Sequence, residues 1–319
     1  MTEKDNFLGN IRFQNFERIT GRIPAHFLGY FGCNHANFEG QGHHSPVGTS
    51  WNDIWGVTWH RDLDGVMGFP KVYPLADLGN LDGYTPPDID DERYHGAIFE
   101  RKKSVHAGDH FIAGSHRDTL WERAYMLVGM EDLMCYFHTE PEKVKTLLKM
   151  IMDFQLRVAE YYIKAGVELV HLTDDLGTQS NLLLGRGVIE EFLVPEYRRL
   201  IDFYKSRNVI VDFHSCGHVE PMLDIFMELG VDILNPVQAS ANDLAAVRRA
   251  TQGKMALMGG ISSAVVMDGT PKDVEAAVRD AIDLLGREGG YICCPDQFMP
   301  YPSENSEAFQ EAVDKYGVR

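Results

Sequence analysis

From about residue 106 onward the chain alternates between two hydrophobic rhythms. Short apolar runs rich in β-branched residues read as strands buried on both faces: His110–Gly114, Val167–Asp175, Val209–Phe213, Val231–Pro236, Lys254–Ser262 and Tyr291–Pro295. Between them lie longer stretches with apolar residues every three or four positions. These predict helices over Arg117 to about Phe137, Pro141 to near Gly166, Val188 to about Lys205, Val219–Leu229, Asp243–Ala250, from Pro271 onward, and Ser303 to about Lys315. Pro141 and Pro271 occupy first helical positions, Thr270 caps the second of these, and Gly230 closes Val219–Leu229. Strand then helix, at least six times over, predicts a parallel sheet wrapped in helices. With 319 residues and polar groups recurring at the strand ends, the expected fold is α/β, a (β/α)8 TIM barrel forming a single domain over 1–319.

The first hundred residues break this rhythm. Residues 1–20 read as an amphipathic lead-in and Ile23–Gly32 as a first apolar strand, followed by Cys33, Asn34 and His35 as loop residues. Residues 38–104 are rich in glycine, proline and aromatics, which predicts an irregular excursion within the barrel, with Trp51, Trp55 and Trp59 at helical spacing as a packing stripe. Such an excursion serves as a lid or as a subunit contact, so a homodimer belongs among the expectations.

Charge and cysteine usage then narrow the function. Thirty Lys and Arg against 47 Asp and Glu give a net charge of −17, which argues against nucleic acid or an anionic membrane as partner. There is no apolar run of about 18 residues, and the start MTEKDNFLGN lacks the apolar core of a signal peptide, so a cytoplasmic location is expected. Five cysteines, placed irregularly, fit reduced thiols or metal ligation better than a disulfide framework. Gly259 and Gly260 match no dinucleotide fingerprint.

The candidate chemistry gathers at the carboxyl ends of the strands, where barrels place their sites. Val209–Glu220 (VIVDFHSCGHVE) ends a strand on His214 and Cys216, which strand alternation aims the same way about 7 Å apart. Either Cys293 or Cys294 ends the last strand. One imidazole and two thiolates with an open fourth position describe a catalytic zinc site, the competing reading being cysteine as a small buried residue. Asp174 and Asp175 end an earlier strand and either act on substrate or serve as a capped loop or ion pair with Arg186 or Arg117. Asn235, Gln238 and Gly260 are the candidate substrate-binding residues. His171 reads as a hydrogen-bonded barrel residue and His218 as the weakest candidate for a fourth ligand.

The runs DDLGTQ, FLVPEYRRLIDF, HSCGHVEPMLDIFMELGVDILNPVQ and LMGGISS, in this order, resemble the uroporphyrinogen decarboxylase superfamily over most of residues 100 to 319. Within it, the H-x-C pair and the late cysteine resemble the zinc-dependent, corrinoid-linked methyltransferases. That resemblance implies Zn2+ on His214, Cys216 and Cys293, and a methyl group moved between a separate corrinoid protein and a small molecule. The methyl-corrinoid is expected from that partner protein. A thiol, a folate, a methylamine and a methoxy compound all remain open as substrates. The alternative is a metal-free carboxy-lyase like uroporphyrinogen decarboxylase itself. Its arginine-rich loop, however, reads YFGCNHANFEG here, without arginine. A third reading is a binding protein whose structural zinc is closed by four protein ligands.

Overall fold

The computed structural model describes residues 1–319. Seven parallel strands form one curled sheet in the order β1 (Ala25–Leu28), β5 (Phe111–His116), β6 (Leu169–Thr173), β7 (Ile210–His214), β8 (Ile233–Val237), β9 (Ala256–Ile261) and β10 (Tyr291–Pro295). The segment entering β1 joins the two ends of this order. Thr20 pairs in parallel with Ile292, and the Cys293 N–H donates to the Thr20 carbonyl at 2.9 Å. The result is the expected barrel, with helices between successive strands.

Strand alternation sorts the core into two shells. Phe111, Leu169, Ile210, Ile233, Ala256 and Ile292 point inward and meet Phe7 and Ile11 of the helix Glu3–Ile11, which plugs the amino-terminal end. Their neighbours Ile112, Val170, Val211, Leu234 and Leu257 point outward into the larger cluster shared with the helices. Because both faces are apolar, these strands carry no alternating pattern in the sequence.

Three expectations need correction. The excursion over 38–104 is not irregular to its end, since Glu92–Ser104 is a helix opened by the Asp91 carboxylate, which accepts the Arg93 N–H at 2.9 Å. The helix expected over Arg117 to Phe137 is two helices, Trp121–Val128 and Met130–Thr139, separated by Gly129 at φ 100°. The tryptophan stripe is not helical. A three-stranded antiparallel sheet, β2 (Ser50–Asn52), β3 (Thr58–His60) and β4 (Phe69–Val72), sets Trp51 directly opposite Trp59, with Trp55 in the turn. A spacing of eight residues suits a hairpin register as well as two helical turns. Asp53 selects the hairpin, its Oδ1 accepting the N–H groups of Trp55 and Val57 at 2.9 and 3.0 Å.

Candidate metal centre and active site

The loop after β7 builds the centre of the site. The Cys216 N–H donates to Asp175 Oδ1 at 2.8 Å, which ties the loop after β7 to the loop after β6. Gly217, at φ 86°, packs so closely on Gly177 that an added Cβ would lie 2.4 Å from its carbonyl carbon. Asn242 Nδ2 donates to the Gly217 carbonyl at 3.0 Å from the other side. Clamped in this way, the chain curls back after the strand. His214 Nε2 comes within 3.4 Å of Cys216 Sγ and 3.6 Å of Asp175 Oδ1, and the three donor atoms all lie within 4.8 Å of one another.

A carboxylate oxygen, an imidazole nitrogen and a thiol sulfur crowded together form a donor set suited to a borderline-soft divalent ion such as zinc. The electrostatics agree. Burial and the Asp175 charge push the Cys216 thiol up to about 12, while the Gln297 amide, donating to Sγ at 3.2 Å, pulls it back. Burial and the neighbouring His171 push His214 down, toward the neutral form that ligates metals. His171 is itself held by Asp212, its Nδ1 lying 2.6 Å from Oδ2.

The structure places the other sequence-derived candidates unevenly. Asp175, His214, Cys216 and Asn235 all border one cavity of about 440 Å³ at the carboxyl ends of the strands. Cys293 does not. It points outward into the shell shared with the helices, and Cys294, one place later, faces the cavity instead. Asp174 is fully buried away from the cavity, where it anchors the start of the helix Trp121–Val128. Its carboxylate accepts the N–H groups of Leu120, Trp121 and Glu122 at 2.7 to 3.0 Å and the Tyr197 hydroxyl. Gln238 is also absent from the lining, because its Oε1 accepts the Gly217 N–H behind the ligand loop. Gly260 faces Leu285 and Tyr291 in the outer shell. His218 turns away to the Ala241 carbonyl at 2.7 Å, whereas His171 borders the cavity as well as bonding Asp212.

Several cavity residues escaped the sequence reading. Arg117, Asp118 and Glu122 follow β5, and Asp296, Gln297 and Phe298 follow β10. Position at a strand end was the signal that could have found them. Asp118 is joined to the excursion by a directional chain of bonds. The Gly68 N–H donates to His43 Nδ1 at 3.0 Å, so the ring proton of His43 sits on Nε2 and is donated to His35 Nδ1 at 2.7 Å. His35 Nε2 in turn donates to Asp118, which also accepts from Arg123 Nη2 at 2.9 Å. Arg123 Nη1 reaches Asp53 Oδ2 at 3.2 Å, closing the link to the three-stranded sheet.

These features define a class: an α/β barrel carrying a nitrogen, oxygen and sulfur donor cluster at the carboxyl ends of its strands. The chain belongs to the uroporphyrinogen decarboxylase (URO-D) family, whose family model matches residues 119–316. Among its relatives, a methylcobamide:CoM methyltransferase MtbA of Methanosarcina mazei is 27% identical over 148 residues, 46% of this chain and 42% of the relative. A methylated-thiol–coenzyme M methyltransferase of the same organism is 24% identical over 195 residues, 58% of this chain and 48% of the relative. The chain thus spans less than half the length of these curated relatives. A solved methyltransferase from Methanosarcina mazei shares the fold across 99% of both chains, with a TM-score of 0.74 at 16% identity.

Proposed function

We propose that this chain is a zinc-dependent methyltransferase, moving a methyl group between a separate corrinoid protein and a small molecule. The observation that carries the reading is the convergence of Asp175, His214 and Cys216 beside a cavity at the barrel mouth. Two of these residues are the H-x-C pair of the corrinoid-linked branch, and the relatives named above are methyltransferases.

In this reading Asp175, His214 and Cys216 hold the ion and the cavity leaves room for substrate beside it. Bound zinc would supply a Lewis acid that activates a substrate thiol or polarises a methoxy oxygen. The chain's own residues do the rest. The clamp on Gly217 fixes two of the ligands, the His171–Asp212 pair supports the His214 ring, and Gln297 meets the Cys216 sulfur. Met67, Met258 and Phe298 give the cavity an apolar side on which the body of a substrate can rest. The carboxy-lyase alternative is less well served. Arg117 is the cavity's one arginine, against four carboxylates, so multiple substrate carboxylates would meet repulsion.

The test is zinc content of the purified protein beside Cys216→Ser, followed by demethylation of methylcobalamin with candidate thiols and the reverse reaction with methoxy donors. About one zinc per chain, lost in the variant together with transfer, is the expected result. Metal-free folded protein purified without chelator, or transfer unaffected by Cys216→Ser, would refute the reading.

A further inference from the structure

Four carboxyl groups border the cavity, and three of them have strong partners. Asp118 bonds Arg123 and His35, Asp175 takes the Cys216 N–H, and Asp296 accepts the backbone N–H and the hydroxyl of Ser263. Glu122 has neither a cation nor a backbone donor. Its side chain has one partner, the Tyr125 hydroxyl, which donates to Oε1 at 3.2 Å and leaves Oε2 to carry a proton. Acidic groups surround it: Asp118, Asp174 and Asp175, with the Cys216 thiol in the same cavity, while the cavity's one arginine, Arg117, lies 4.0 Å from the Asp118 carboxylate. The Arg123 guanidinium next in sequence is committed to Asp118 and Asp53. Burial and the three carboxylates hold the Glu122 carboxyl well above the usual carboxylate range.

A cavity carboxyl with no cation and no backbone donor, and so suited to hold a proton, distinguishes between substrates. A thiol that accepts a methyl group must lose a proton, and a nearby carboxylic acid gives no help. A methoxy compound that surrenders its methyl group leaves an oxygen that must gain one. Resting on the methyltransferase reading, we propose that Glu122 is the proton donor of this site and that the substrate is a methoxy compound demethylated here. The carbon–oxygen bond breaks with its electron pair kept by oxygen, and the methyl carbon bonds to the reduced corrinoid of the partner, which supplies an electron pair and is thereby oxidised. Oxygen takes the Glu122 proton, the product leaves as an alcohol or phenol, and water reprotonates the carboxylate. No other oxidant or reductant is needed.

The experiment uses the full zinc-loaded chain in two reactions: transfer from 2-methoxyphenol to reduced free cobalamin, and transfer from methylcobalamin to 2-mercaptoethanol. Wild type is compared with Glu122→Gln, Glu122→Met and Glu122→Asp, and infrared spectra at neutral pH report the protonated carboxyl band. We expect the Gln and Met variants to lose the methoxy reaction about a hundredfold, with zinc content unchanged and the thiol reaction little altered. Glu122→Asp should restore part of the lost rate, and the carboxyl band of wild type should vanish in Glu122→Gln. If Glu122→Gln fails to fold, the comparison of Met with Asp carries the same contrast. An undiminished methoxy reaction in the variants, a wild type active only with thiol, or no carboxyl band lost on substitution would overturn the Glu122 inference and leave the methyltransferase reading standing. A zinc-loaded wild type inactive in both reactions would overturn the two together.

Discussion

Asp175 and Cys294 compete for the third place in the donor set, and the geometry favours the acid. Asp175 Oδ1 lies with His214 and Cys216 inside a 4.8 Å cluster, whereas Cys294 borders the same cavity outside that cluster and Cys293 faces the opposite shell. Asp175→Asn and Cys216→Ser are therefore expected to lose most bound zinc, and Cys293→Ser and Cys294→Ser to retain it, by elemental analysis of protein purified without chelator. Zinc lost from Cys293→Ser or Cys294→Ser but kept by Asp175→Asn would reverse the assignment. The reason the sequence misled here is physical. In a parallel strand apolar on both faces, as in YICCP, nothing marks which residues point inward, and a shift of one position exchanges the two sides. The same ambiguity separates Asp174, which caps a helix, from Asp175, which meets the cavity. His214 and Cys216 were legible because the residues after them, Gly217 onward, announced a turn at a strand end. The curl that brings their donor atoms to 3.4 Å depends on Gly177 and Asn242, which are distant in sequence.

At the level of elements, the alternation of strands and helices was readable because each element carries its own periodicity, while the excursion was not, because long-range polar bonds hold it. Asp174 is a long-range polar anchor within the barrel itself: four donors converge on a carboxylate with no exposed surface. Asp174→Ala orphans all four and should cost about 3 kcal/mol in chemical denaturation, without touching the metal ligands. The chain from Gly68 through His43 and His35 to Asp118 is another, and it sets a pH dependence. Burial, with His35 and the Arg117 charge nearby, pushes His43 down to about 4 from its ordinary 6.5. A histidine whose folded-state pKa is depressed contributes stability that is fully present above the unfolded value. As pH falls from about 6.5 toward about 4, the unfolded chain takes up the proton first and that contribution is lost. The thermal midpoint should therefore drop between pH 7 and pH 5. In His43→Gln, which cannot titrate, that drop should flatten; an unchanged slope would show that other groups set it.

Over the whole molecule, several exposed apolar side chains stand next in sequence to the exposed cavity residues Met67 and Phe298. Leu63, Val66, Phe69 and Val72 are exposed on the excursion beside the cavity residue Met67, and Met299 is exposed beside Phe298, itself 92% exposed. The chain as a whole carries a net charge of −17, and an apolar collar on such a molecule marks a contact with another one. A methyl group can be handed over only if its carrier reaches the cavity, so under the proposed function this collar is where the corrinoid protein lands. Leu63 and Met299 belong to the collar but do not line the cavity, which makes them the discriminating positions. Replacing either by Asp adds charge to a contact that should be dry and removes an apolar anchor, a loss of about 1 to 2 kcal/mol. That corresponds to roughly a tenfold rise in the KM for the protein-bound corrinoid. Transfer with free cobalamin, which needs no protein contact, should proceed as in wild type. If Leu63→Asp and Met299→Asp leave the KM for the carrier protein unchanged, the partner docks elsewhere; if they impair the reaction with free cobalamin equally, the collar shapes the cavity rather than receiving a partner.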